Sequence, residues 1–241
     1  MQITRRCATG FMAGILPMLL SACGRWKQGY RYRLTIEIET PQGIVKGSAV
    51  QEMVHGSKIW LLPGGDSFNI DGYGEAVVVD LPHGTLFVLL RPCPERVLEM
   101  ALRYGVVKPS IDVASVEHWP TTRPQLFRAL SYYRATVTVP YSAISDFVDP
   151  WDVKVFDLSF ATFDNRNDPK SIRILDPQKL DREFGPGIRL SRIIFQSTDE
   201  PLTTTIEARL PWLRNFSPRW ETADNPRRAL PSGILGLRRL P

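Results

Sequence analysis

The side chains in this sequence that could do chemistry are histidines and cysteines as metal ligands, paired carboxylates as acid and base, and serines as nucleophiles. His55, His83 and His118 stand apart from one another, and no HExxH or paired-cysteine spacing is present, so no metal is expected. Asp164-Asn165-Arg166-Asn167-Asp168 has the oxygen-rich composition of a calcium loop. It lacks the glycine at the sixth position and the glutamate at the twelfth, and is expected to form a turn instead. Ser48, in Gly47-Ser48-Ala49, falls on an expected strand rather than at a strand-to-helix elbow, and there is no GxSxG. Glu37 and Glu39 share one face of a strand about 7 Å apart, a separation that suits glycoside hydrolysis. That face is the polar one, so simple solvation is expected. Gly64-Gly65 and Gly72 lack the Lys-Ser/Thr ending of a phosphate loop, and no cofactor is expected. A triad assembled from residues distant in sequence stays open.

Aromatic residues offer a binding surface. Trp60, Phe68 and Tyr73 bracket a Gly-rich stretch from Pro63 to Gly74, and aromatic rings on a long loop stack on sugars or grip peptides. This is the candidate binding loop. Tyr132, Tyr133, Tyr141 and Trp151 form a second group, for which core packing is expected.

The elements that must carry these residues are mostly strands. From Tyr30 to Thr40, Tyr30, Tyr32, Leu34, Ile36 and Ile38 alternate with Arg31, Arg33, Thr35, Glu37 and Glu39, the period of a half-buried strand. Pro41-Gln42-Gly43 turns the chain into a second strand, Ile44 to Val54, in which Gly47 marks a bulge or a close approach. Glu75 to Leu81 and Thr85 to Leu90 flank Pro82-His83-Gly84 and lack alternation, so both are expected to lie centrally, covered on both faces. The four strands suggest an antiparallel meander. Pro94 to about Tyr104 reads as a covering helix, and residues 107–130, with three prolines, as an irregular connection. Ala135 to Val139, Val153 to Phe163 and Ile188 to Ser197 read as strands. Asp176-Pro177 opens a short helix through Phe184, ended by Gly185-Pro186-Gly187, and Thr203 to Leu210 reads as another, stopped by Pro211. The expected class is α+β: a strand-rich antiparallel meander with two or three short covering helices.

The N-terminus carries the most specific signal. Arg5 and Arg6 precede an apolar stretch from Phe11 to Leu20, which as a helix covers only about 15 Å and therefore reads as a cleavable signal rather than a membrane span. Leu20-Ser21-Ala22-Cys23 follows. In these residues the chain resembles bacterial lipoproteins at their lipobox, which implies that Cys23 is acylated and becomes the N-terminus after cleavage. Thr4-Arg5-Arg6-Cys7 matches a twin-arginine export signal only in part, with Ala8 and Thr9 where apolar residues are expected, and carries no cofactor implication. Gly24 after the cysteine resembles outer-membrane sorting, and the tether 23–29 holds the domain within roughly 20 Å of the headgroups. With Cys23 lipidated, Cys93, between Pro92 and Pro94, has no intramolecular partner and is expected to be a buried, inert thiol.

The chain carries a formal charge of +5, and 43% of its residues are hydrophobic, which excludes a compositionally disordered protein. The basic surplus is late: Arg214, Arg219, Arg227, Arg228, Arg238 and Arg239 face only Glu221 and Asp224. Residues 214–241 are therefore expected to be a solvated basic tail, with contact to an anionic surface as its functional alternative. The body has no basic face, so nucleic acid is not an expected partner. Arg33-Leu34-Thr35-Ile36-Glu37-Ile38-Glu39-Thr40-Pro41, Gly74-Glu75-Ala76-Val77, Asn167-Asp168-Pro169-Lys170-Ser171, Phe184-Gly185-Pro186-Gly187 and Leu210-Pro211-Trp212-Leu213 resemble a group of uncharacterised bacterial exported proteins. The resemblance implies one unit over residues 30–213, with 30–105 and 130–213 as its possible halves, and carries no activity. The expected protein is a lipid-anchored envelope lipoprotein facing the periplasm, non-enzymatic, that binds a protein or wall component. A periplasmic hydrolase and a lipid or peptide carrier are the alternatives.

Overall fold

A computed structural model describes residues 27–58, 67–90, 136–141, 159–215 and 237–239. The chain divides into two compact units, Met1–Gln28 with His55–Ile70, and Gly29–Val54 with Asp71–Pro241. Of the first, only strand ends are described, and the body of both sheets lies in the second. The N-terminal signal, Cys23, Trp60, Cys93, His118 and the expected helix from Pro94 lie outside the described residues.

The period-two segment forms strand β1 (Lys27–Thr40), and after the turn at Pro41-Gln42 the chain returns as β2 (Gly43–Lys58). Thr40 fastens that turn, its hydroxyl donating to the Gly43 carbonyl at 2.7 Å and accepting from the Gln42 amide at 3.2 Å. Strands β3 (Ser67–Glu75), β4 (Val77–Leu81) and β5 (Gly84–Val88) follow, then β6 (Thr136–Pro140), β7 (Phe160–Phe163) and β8 (Ile172–Leu175). Helix α1 (Leu180–Phe184) leads to β9 (Arg189–Ser197), and β10 (Arg238–Arg239) comes last. The strands make two antiparallel sheets, ordered β10-β3-β2-β1-β9-β6 and β4-β5-β7-β8. Among the described residues, no helix is long and apolar enough to cross a membrane.

The fold is therefore mostly β, with one short α-helix among the described residues rather than two or three. Asp176 opens that helical stretch as expected, its carboxylate accepting from the Gln178 amide at 3.0 Å, and one 3-10 turn over Pro177–Lys179 runs into α1. Thr203 to Leu210, expected as a helix, yields only a 3-10 turn at Ile206–Ala208, because the β-branched Thr203-Thr204-Thr205 resist helical entry. Pro211 does not end the helical geometry there but begins another 3-10 turn, Pro211–Asn215.

The expected meander is also split. β1, β2 and β3 belong to the first sheet while β4 and β5 open the second. Residues 67–75 are a strand and not a loop: their glycines and acidic residues disfavour pairing by propensity, but β3 is held between β2 and β10. β5 is buried as expected, whereas β4 is an edge strand that alternates and exposes Asp80.

The inner face of the first sheet follows from register. Leu34 and Val137 oppose Phe195, and Ile36 and Val139 oppose Ile193, all of them buried. The register shifts at a bulge between Glu37 and Ile38, with Ser191 of β9 as the extra residue, while the inward alternation of β1 continues through Ile36 and Ile38. The sheets meet where β2 carries Gly47. A Cβ at Gly47 would fall on the Val78 carbonyl oxygen of β4, so only glycine admits that approach.

The chain passes from β3 to β4 through Ala76 alone, with Gly74 at φ +121 taking up the bend. Here the expectation of a solvated tail fails for residues 237–239. Leu237 is fully buried, its carbonyl accepts from the Ala76 amide at 2.8 Å, and Arg238 and Arg239 pair with Glu75 and Gly74. Arg238 reaches inward as well, donating to the Leu213 carbonyl at 2.9 Å and pairing with Glu207. The physical reason is that Leu237 supplies apolar surface to a core cluster with Phe87, Leu89, Ile206, Leu210 and Leu213, which outweighs the solubility of the arginines beside it.

Candidate functional site

The outer face of the second sheet is built by pairing Val78 with Phe87 and Phe87 with Ala161. Ile206, Leu210, Leu213 and Leu237 cover part of that row. Beside this cover, toward Gly84, opens a cleft of about 540 Å³. Its floor is Thr85, Phe87 and Phe163, the two rings meeting edge to face at 5.3 Å between centroids. One wall is the 164–167 turn, and the other is Ala208, Arg209 and Pro211.

The turn is held by its own side chains. Asn165 accepts from the Asn167 amide at 3.0 Å, and Asp168 from the Lys170 amide at 2.9 Å. Ser171 Oγ accepts from the Asn165 amide at 3.0 Å and lies 2.7 and 2.8 Å from the carbonyls of Asn165 and Asp168. Its side-chain oxygens thus satisfy backbone amides, as in Asx turns, which agrees with the expected turn. Trp212 joins the two walls: its indole N–H donates to the Arg166 carbonyl at 2.8 Å, and its ring packs on Phe163 at 6.1 Å.

Asp80 stands beside the cleft and engages two of its lining residues, Arg209 and Thr85. Arg209 donates to the Asp80 carboxylate, and the Thr85 hydroxyl donates to the same oxygen at 3.3 Å. The Arg209 hydrogen bond holds the Asp80 carboxyl below the usual aspartate range, against the opposing effect of partial burial, with the charges of Arg209 and Arg166 adding to it. Asp164 is engaged by Arg173 at 2.7 Å, and Arg173 also binds Glu183. Arg166 lines the cleft without an ion pair or side-chain hydrogen bond among the described residues. No group of three or more His, Cys, Asp or Glu residues among the described residues could hold a metal. Comparison with protein-family models, characterised proteins and solved structures gives no match to this chain.

The residues singled out from the sequence lie elsewhere. Phe68 and Tyr73 sit in β3, so the aromatic loop is a strand there, with Tyr73 half-buried. Glu37 and Glu39 are not simply solvated: Glu37 is nearly buried and takes Arg192 at 2.8 Å, and Glu39 takes Arg189 at 2.8 and 3.0 Å. Ser48 accepts from Arg33 at 3.4 Å, and His83 lies in the β4–β5 turn. Sequence reasoning misses the cleft because its parts come from residues 80–87, 163–167 and 208–212. The signals for it are Trp212 beside Pro211 and the acidic turn cluster itself.

Glu75 is a buried carboxylate with a structural role. It is 2% exposed and accepts from the Thr205 amide at 2.7 Å, the Thr205 hydroxyl at 2.9 Å and the Ile206 amide at 3.0 Å. Its carbonyl accepts from Gln51, which in turn accepts from the Tyr32 hydroxyl at 3.0 Å. This network fixes the segment that forms the second wall of the cleft.

Proposed function

We propose that this chain is an envelope lipoprotein, anchored through acylated Cys23 on the periplasmic side of the outer membrane, whose β domain is a non-enzymatic binding module. The observation that carries the anchor is Leu20-Ser21-Ala22-Cys23 placed directly after two arginines and a short apolar stretch. The binding role is supported by the cleft, whose volume lies in the range of small-ligand sites and whose floor is aromatic. A protein or wall component of the envelope is its partner in this reading. Contact of Arg219, Arg227 and Arg228 with anionic headgroups belongs to the same reading. The finer architecture belongs to the same proposal, with Pro94 to about Tyr104 as a further helix covering a sheet.

The anchor has a direct test. Cys23→Ser should abolish labelling by radioactive palmitate and move the protein from the membrane to the soluble fraction. Unchanged membrane partitioning would overturn the reading, since two or three acyl chains are what hold such a domain stably.

A further inference from the structure

We infer that the cleft between the 164–167 turn and the 208–211 segment binds a single carboxylate that carries a flat or apolar face beside it. The inference rests on the binding-module reading and assigns that module a ligand class. Arg209 donates to Asp80, and Arg173 is shared between Asp164 and Glu183, while the Arg166 guanidinium lines the cleft with no direct ion pair or side-chain hydrogen bond among the described residues. A guanidinium presents paired N–H donors that suit a carboxylate bidentately.

The surroundings narrow the anion. Asp80 and Asp164 stand close by, so a dianionic phosphate meets more repulsion from both than a single carboxylate, which takes the Arg166 N–H donors that no described side chain occupies. Phe163, half-buried and edge-on to Phe87, offers an apolar surface on the same floor. A ligand whose ring or hydrocarbon lies next to its carboxylate engages both. The site is also ordered in advance. The Asn165, Asp168 and Ser171 side chains hold the turn, and Trp212 ties it to the opposite wall, so little conformational entropy is lost on binding. Such a carboxylate occurs at the C-terminus of a peptide and on an acidic sugar, and the two sources share this chemistry.

The test is isothermal titration of the full-length, detergent-purified protein with N-acetyl-L-phenylalanine, D-glucuronate and inorganic phosphate, with N-acetyl-L-phenylalaninamide as the uncharged control. At least one carboxylate should bind in a one-to-one isotherm with a Kd of about 1 mM or below. Phosphate and the amide should each bind about tenfold more weakly. Which carboxylate binds distinguishes the peptide source from the sugar source. Arg166→Gln should weaken binding about tenfold, the loss of one charge-assisted contact. Arg182→Gln, on the exposed face of α1 and outside the cleft, should leave it unchanged. Asp80→Asn removes a nearby negative charge and frees Arg209, so it should tighten binding, a gain that misfolding does not produce. Thermal melts by circular dichroism establish that the variants are folded. Binding of neither carboxylate at 10-fold above that Kd, preference for phosphate, indifference to Arg166→Gln, or weaker binding by folded Asp80→Asn would each overturn the assignment. If the titrations fail while Cys23→Ser still releases the chain from membranes, the ligand class falls and the lipoprotein reading stands.

Discussion

Asp80 shows how one side chain joins stability to the cleft. Its carboxyl is held low by Arg209, so it stays charged in the folded state at a pH where the unfolded chain has begun to bind a proton. The contribution to stability is present above the unfolded value of about 3.9 and is lost as pH falls through the lower folded value. Both side chains are exposed, at 40% and 55%, so solvent screening limits the effect to about 0.5 kcal/mol. Arg209→Gln should therefore lose about that much stability at pH 7 and converge with the parent chain well below pH 4, as read from urea melts across the range. A difference that persists undiminished at low pH would show that Arg209 acts by packing and not by charge. Glu37 and Glu39 are the residues at which the sequence is least informative. Alternation places them on the outward face correctly but says nothing of Arg192 and Arg189 across the ladder. Those arginines are three residues apart because β9 pairs across the bulge, a spacing that hides the two cross-strand pairs.

At the level of elements, Gly47 sets how closely the two sheets approach. Gly47→Ala puts a Cβ onto backbone, which cannot rotate away, so about 3 kcal/mol of stability should be lost in denaturant unfolding. A neutral result would mean that β4 does not rest on β2. This close approach is legible in the sequence, since an isolated glycine in a strand marks it. So are β1, the β4–β5 hairpin and the opening and end of α1, all of which depend on local patterns. What is not legible depends on partners. β3 looks like a loop because Asp71, Gly72 and Gly74 suppress its pattern, and it is a strand because neighbours lie on both sides. The cleft escapes for the same reason, being assembled from three distant segments whose local signs are the Asp164–Asp168 turn and Trp212 beside Pro211.

For the molecule as a whole, the short β10 follows the residue, Leu237, that completes the described core cluster over the second sheet. Leu237→Ala empties a fully buried position and should cost about 3 kcal/mol. Truncation after Leu213 removes the same side chain, the ladder to β3 and the bonds of Arg238, and should lower the melting temperature by roughly 10 °C or more. Calorimetry on the two chains decides it, and an unchanged transition would restore the solvated tail. The pairing of residues 237–239 with 74–76 also sets an order of events during synthesis. A ribosome that has made the first 215 residues holds every other described strand, yet the covering of Phe87 and Leu89 still lacks its last leucine. Until that leucine emerges, the nascent chain presents an unfinished apolar surface, so the domain settles late and stays available to chaperones.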